Sequence, residues 1–172
     1  MLGAEMRKLL CGVLIGIILV PLVFFLILLA GFWPTAATSQ PSSWESGLAL
    51  RALRASVGRV APPQNPITAS QENLLAGMKT FKNDCAGCHG DADRPSHWGT
   101  TSFYPRVPQF AQDPPRLTAS QMFWIVKHGV RYTGMAAWDG ELSDDEIWRV
   151  VTFLSHLDHL PPRVAEEFHR KQ

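Results

Sequence analysis

Cys85 and Cys88 are separated by two residues and followed at once by His89, in the run Cys85-Ala86-Gly87-Cys88-His89. Two thiols at that spacing can each add to one vinyl group of a single haem, and the adjacent imidazole can reach the iron from the proximal side, so the run is a signature of covalent haem attachment. Two other chemistries use a C-x-x-C pair. A thioredoxin-like dithiol expects a βαβ setting, which is absent from the pattern of this chain, and a zinc site needs a fourth ligand and usually a second ligand pair. The third cysteine, Cys11, lies in an apolar run. Lys8-Leu9-Leu10 before it lacks the small residues of a lipoprotein processing site, so Cys11 reads as an apolar helix residue. An odd cysteine count argues against a simple disulfide framework.

Three helices are predicted to position the motif. The first runs from about Ser70 to Cys85, with Leu74, Met78, Phe81 and Cys85 on one face. The second opens on Thr118 as N-cap with Gln121 three residues on, a capping box, with Leu117 and Met122 placed as a hydrophobic staple; it closes at Gly129. The third repeats the design, with Ser143 and Glu146 as the box and Leu142 and Ile147 as the staple. Ile147, Val150, Val151 and Leu154 line its face. Between the first two lies a long loop, Gly90 to Arg116, broken by Pro95, Pro105, Pro108, Pro114 and Pro115. A loop of that length inside a domain needs something to fold around.

The N-terminal part is of different composition. Leu9 to Trp33 carries no charged residue, and as a helix it would be roughly 37 Å long against a hydrocarbon core of about 30 Å. A secretory signal peptide is the rival reading, because Arg7 and Lys8 form a basic n-region and Thr35-Ala36-Ala37 faintly resembles a cleavage site. The apolar run of such a peptide is only about 7 to 15 residues, which favours a retained span. Arg7 and Lys8 before the span place the N-terminus inside and the rest outside, with Phe32 and Trp33 at the outer interface. Pro21 is tolerated in a membrane helix. Pro34 to Ser43 reads as a linker, and Trp44 to Val60 as a helix with Arg51, Arg54 and Arg59, ended by Ala61-Pro62-Pro63 and Asn65-Pro66. The organisation expected is a cytoplasmic N-terminus over 1–8, a transmembrane anchor over 9–33, a linker with a short helix over 34–67, a haem domain over 68–160 and a tail over 161–172. Sixteen Lys and Arg against fifteen Asp and Glu, a net charge of +1, leave no electrostatic footprint for a nucleic-acid partner.

From Thr68 to Leu160 the chain resembles the class I cytochrome c family. Gly77 and Phe81, eight and four residues before Cys85, look like the family's glycine and aromatic pair on the N-terminal helix, and Phe153 like its partner on the C-terminal helix. A mid-helix glycine costs about 1 kcal/mol against alanine, so Gly77 points to a close helix crossing. Tyr132-Thr133-Gly134-Met135-Ala136-Ala137-Trp138 resembles the family's methionine loop, which implies Met135 as the second axial ligand beside His89; many relatives have proline where Ala136 stands. A proline carbonyl, here of Pro105 or Pro108, is implied as acceptor for the His89 ring N–H. Met78 and Met122 fit apolar helix faces, and His128 a helix end where a cation meets the dipole. His97 ranks first among substitute ligands, ahead of His156, His159 and His169. Trp98, Trp138, Arg106 and Arg131 are candidates for contacts to haem propionates, with packing or solvation as the default.

The resemblance implies an all-α fold: a small cytochrome c-like helical domain around one covalent haem c, preceded by a single transmembrane helix. With His89 and Met135 both on the iron, substrate has no access to the metal and only electrons pass, so the expected function is electron transfer in a respiratory or periplasmic redox chain, freestanding or as a subunit of an oxidoreductase complex. The alternative is a haem-based sensor or enzyme in which Met135 dissociates. The expected partners are membrane-bound or periplasmic redox proteins. The expected location is a bacterial inner membrane, single-pass, with the haem domain on the periplasmic side.

Overall fold

A computed structural model describes residues 2–60 and 64–170. The chain divides into two compact units, Met1–Ala36 and Ala37–Gln172. Among the described residues every regular element is helical; only isolated bridges join Asp91 to Arg94 and Asp139 to Leu142.

The first unit is the helix α1 (Leu2–Leu29). It starts earlier and ends sooner than the charge-free run implies. Glu5 and Lys8 pair at 2.8 Å one turn apart and extend it at the N-terminal side. At the other end Gly31 takes a left-handed φ of +76°, Phe32 N–H donates to Ile27 C=O at 3.2 Å and Gly31 N–H to Leu28 C=O at 3.1 Å. That pair of bonds is a Schellman stop, and it leaves Phe32 and Trp33 beyond the helix. The stretch Gly3–Leu29 is long and apolar enough to cross a membrane, and from Leu9 on it is apolar all round.

The second unit begins with α2 (Ser43–Arg59), close to the expected bounds. The Ala61-Pro62-Pro63 breaker lies outside the described residues. Asn65 then ties the chain to the core: its side chain donates to Thr152 Oγ1 at 2.8 Å and accepts from Ile67 N–H at 2.9 Å.

α3 (Gln71–Thr80) opens on Ser70, whose hydroxyl accepts from Asn73 N–H. Leu74, Met78 and Phe81 are buried as their spacing requires. The backbone does not stop at Cys85. A π-helical turn, Phe81–Cys85, follows α3, with Ala86 N–H donating to Phe81 C=O, and α4 (Ala86–His89) continues from it. The extra residue in that turn shifts the helical register between Phe81, which stays in the core, and the cysteines, which leave it half-buried.

α6 (Ala119–His128) and α7 (Asp144–Leu154) start on the two expected capping boxes, with both reciprocal bonds present in each, and α6 ends at Gly129 with φ of +68°. Each cap contributes about 1 kcal/mol. α3 crosses α7 where Gly77 stands. A methyl group there would lie 2.1 Å from Arg149 O and 2.5 Å from its carbonyl carbon, so only hydrogen fits. One turn on, Phe81 and Phe153 meet at 5.7 Å between centroids, and Phe123 stacks on Trp148 at 4.0 Å.

Two elements are absent from the sequence reading. The proline-rich loop contains α5 (His97–Thr101), capped by Ser96 Oγ. The segment expected as a tail contains α8 (Pro162–His169), which begins on the Pro161-Pro162 pair, a favoured way to start a helix. Val164 and Phe168, one turn apart, are buried, and Phe168 sets its ring edge against Phe153 at 5.1 Å and Phe81 at 6.2 Å.

Candidate haem site

The π turn and α4 present Cys85, Cys88 and His89 within one stretch of helical backbone. Both cysteines are free thiols. Burial, and secondarily the charge of Asp84, push the Cys85 thiol up to about 12. A thiol held that high carries almost no thiolate at neutral pH, so Cys85 is unsuited to be the nucleophile of a redox dithiol. No group of three or more metal-ligating side chains occurs among the described residues.

His89 is oriented from two sides. Its Nδ1 lies 2.9 Å from Pro108 O, and a carbonyl can only accept, so Nδ1 carries the proton and Nε2 keeps its lone pair. Phe110 stacks on the ring, with centroids 4.3 Å apart and planes within 10°. Burial lowers the His89 pKa, partly offset by the Pro108 bond, which favours the neutral imidazole that a metal requires. Two thiols one helical turn apart and a neutral imidazole with a free Nε2 are the donor set of a covalently attached haem. A Cβ at Gly87, between the cysteines, would touch nothing within 4 Å, so that side of the turn is open.

Gln109, between Pro108 and Phe110, fastens this loop to the motif. Its Nε2 donates to Cys88 O at 3.0 Å and Val107 O at 2.9 Å, and its Oε1 accepts from Ser96 N–H at 2.6 Å. Ser96 Oγ reaches Gly87 O at 2.5 Å, and a methyl group at Gly99 would sit 2.0 Å from Cys88 O. Gln109, Ser96 and Gly99 escaped the sequence reading; the only signal was the serine that caps α5.

Met135 lies half-buried against the core in a loop closed by its own backbone. Val130 N–H donates to Met135 O at 3.0 Å, Met135 N–H to Thr133 Oγ1 at 3.1 Å, and Thr133 Oγ1 to Val130 O at 2.8 Å. A methyl group at Gly134 would lie 2.2 Å from the Phe103 ring. Segment 103–110 therefore abuts the methionine loop through Phe103 and holds His89 through Pro108 and Phe110.

The remaining candidates fall elsewhere. Arg106 donates to the carbonyls of Phe103, Ala37, Thr38 and Ser39 at 2.6–3.0 Å, and its buried Nε has no partner among the described residues. Trp98 is 56% exposed and meets Phe103 edge-on, Arg131 lies over the exposed Tyr132 ring, and Trp138 packs on the core. His97 is exposed at the start of α5, and His128 ends α6 beside Trp124. His156 Nδ1 donates to Thr152 O, His159 pairs with Asp158 and His169 with Asp93.

A helical domain with a close glycine crossing, an aromatic pair and an oriented C-x-x-C-H histidine is a c-type cytochrome, a haem c protein of electron transfer. The family model described as cytochrome c oxidase, cbb3-type, subunit III matches residues 72–154, from the first turn of α3 to the end of α7. Among solved structures, a chain of the reducing HAO-like protein complex of Kuenenia stuttgartiensis is similar at 24% identity and a TM-score of 0.44. The match covers 60% of this chain and 54% of that one, so this chain spans about half its length. No curated protein matches the chain.

Proposed function

We propose that this chain is a membrane-anchored monohaem cytochrome that carries electrons in a respiratory or periplasmic redox chain, freestanding or as the haem subunit of an oxidoreductase complex. Cys85 and Cys88 would hold the haem through their sulfurs, and His89 Nε2 and Met135 Sδ would ligate its iron. α1 is the single-pass anchor in a bacterial inner membrane, and the haem domain, 68–160 extended by α8, stands on the periplasmic side. Its partners are redox proteins of that membrane or compartment.

The observation that carries this reading is the fixing of His89 by Pro108 and Phe110, because it leaves one ring nitrogen available and settles the plane in which it points. Bound there, haem iron supplies reversible one-electron chemistry. The protein's own part is to hold the imidazole neutral and oriented, to keep Met135 in a closed backbone turn, and to surround both with apolar side chains. A methionine ligand and an apolar surround each favour the ferrous state and raise the potential.

The test is carbon monoxide binding by the reduced, purified protein, read from the haem absorption. No binding is expected, since His89 and Met135 would both ligate the iron; ready binding by the intact protein overturns the carrier in favour of a sensor or enzyme with an open site.

A further inference from the structure

α2 has two faces of different character. Ser46, Leu53 and Val57 lie on one side, and Val57 is 1% exposed. Near its C-terminal end α2 abuts α6, where a Cβ at Gly58 would sit 3.7 Å from Gln121 Nε2. The helix's only acid, Glu45, accepts from the Tyr104 hydroxyl, which raises the Tyr104 pKa. Just before α2, Arg106 holds the carbonyls of Ala37, Thr38 and Ser39. The inner face is thus occupied and both ends of the segment are fastened to the haem domain.

The outer face carries Trp44, Leu48, Arg51, Ala55 and Arg59 at i, i+4, i+7, i+11 and i+15, with Arg54 beside them. Trp44 is 72% and Leu48 60% exposed. No acidic side chain lies on this stripe, and Arg51 and Arg54 make no ion pair among the described residues. On such a stripe Trp44 has the amphipathic ring enriched at membrane interfaces, and the arginines have the charge that anionic headgroups attract.

We propose that the outer face of α2 docks on anionic phospholipid headgroups, with Trp44 and Leu48 entering the interface and Arg51, Arg54 and Arg59 pairing with phosphates. Charge complementarity favours a lipid surface, and chain length allows it: Ala30 to Ser42 spans at most about 45 Å fully extended, so α2 starts within that distance of the end of α1. The inference rests on the anchor reading for that proximity. Because α2 is fastened to the haem domain, docking orients the domain on the bilayer.

The experiment uses the full-length holoprotein in vesicles of phosphatidylcholine with and without phosphatidylglycerol. A nitroxide is placed by Ala55→Cys in a Cys11→Ser background, and accessibility is read by power saturation with oxygen and with a water-soluble nickel chelate. The expected result is a label shielded from nickel in the phosphatidylglycerol vesicles and exposed in phosphatidylcholine alone or at high salt. Arg51→Glu with Arg54→Glu and Arg59→Glu, on exposed positions that leave the haem spectrum unchanged, lowers the docked-to-free ratio about 100-fold or more. A label exposed to nickel in both vesicles overturns the proposal, as does shielding that survives the charge reversal, or shielding that appears only when an acidic redox protein is added. Alkaline washing of the same vesicles reads the anchor separately. A chain that washes off overturns the anchor and this inference together, whereas a chain that stays with an exposed label overturns the docking alone.

Discussion

His89 Nδ1 donates to the carbonyl of Pro108 at 2.9 Å, and this bond makes the proline-rich loop part of the haem site. Pro105 and Pro108 are equivalent in the sequence, since each offers a carbonyl and neither offers an N–H. What separates them is the next turn of chain: Phe110 N–H donates to His89 O at 3.2 Å while its ring covers the imidazole, and Gln109 between them binds back to Cys88. The loop is held to the motif by the two residues that follow Pro108.

Gln109 is accordingly the residue whose loss should loosen the site without touching a ligand. Gln109→Leu leaves Ser96 N–H and the Cys88 and Val107 carbonyls without their partner, at a cost of about 1–3 kcal/mol. The expected outcome is a lower urea midpoint for the holoprotein with an unchanged ratio of haem to protein. An unaltered midpoint would show that water replaces the glutamine without loss.

Gly77 and Gly47 are both helical glycines, and their substitutions should have opposite signs. At Gly77 a methyl group meets the Arg149 carbonyl at 2.1 Å, backbone that cannot swing aside, so Gly77→Ala must separate α3 from α7 and cost about 3 kcal/mol. At Gly47 nothing lies within 4 Å, so Gly47→Ala stabilises α2 by up to about 1 kcal/mol. Thermal unfolding of the two variants beside the parent decides it; destabilisation by both would remove the crossing as the reason for Gly77.

Phe168 belongs to an aromatic trio with Phe81 and Phe153 and is 4% exposed. Phe168→Ala is expected to destabilise the haem domain by about 3–5 kcal/mol, as for a core phenylalanine. A cost below about 1 kcal/mol, read from chemical unfolding, would mean that α8 is an appendage.

These positions show which parts of the molecule were legible beforehand. The helices α6 and α7 were, because a capping box and a 3.6-residue apolar period are local signals, and so was the Gly77 crossing, because Gly77 stands with Phe81 at the family's spacing before Cys85, a setting that Gly47, which meets nothing within 4 Å, lacks. α5 and α8 were not: five and eight residues are too few to show a period, and the Pro161-Pro162 pair reads equally as the end of one element and the start of another. The π turn was invisible because Phe81 and Cys85 fit an α-helical face as well as they fit the register that the structure adopts. In the site, the haem-binding motif was explicit, but Gln109 was not, since an amide in a loop has no meaning until its three partners are assembled around it.

Glu146 makes part of the acid sensitivity predictable. The Ser143 hydroxyl donates to its carboxylate at 2.6 Å and the Ser143 backbone N–H at 2.9 Å, and these bonds lower its pKa below the ordinary 4.5. A carboxyl group with a depressed folded-state pKa contributes stability that is present above its unfolded pKa and lost as pH falls through the folded one. Glu146→Gln, which keeps a side-chain acceptor for the cap but does not titrate, should narrow the difference in melting temperature between pH 7 and pH 3. An identical acid limb in variant and parent would place the sensitivity elsewhere.

Met135 gives the sharpest division between the proposed ligand and an ordinary core methionine. Its loop is closed by the Val130 to Met135 and Met135 to Thr133 bonds, which depend on backbone and threonine rather than on the thioether, so Met135→Ala should leave the loop and the covalent haem in place. What it removes is the proposed second ligand. The reduced variant is expected to bind carbon monoxide, which the parent does not, and its potential should fall, within a range of about 0.8 V that axial ligands span. Met122, 4% exposed on α6, supplies the comparison: Met122→Leu conserves volume, costs less than about 1.5 kcal/mol and should alter neither carbon monoxide binding nor potential. If Met135→Ala behaves like Met122→Leu, the second ligand is another side chain, and the same carbon monoxide assay on His97→Ala is the next discriminating step.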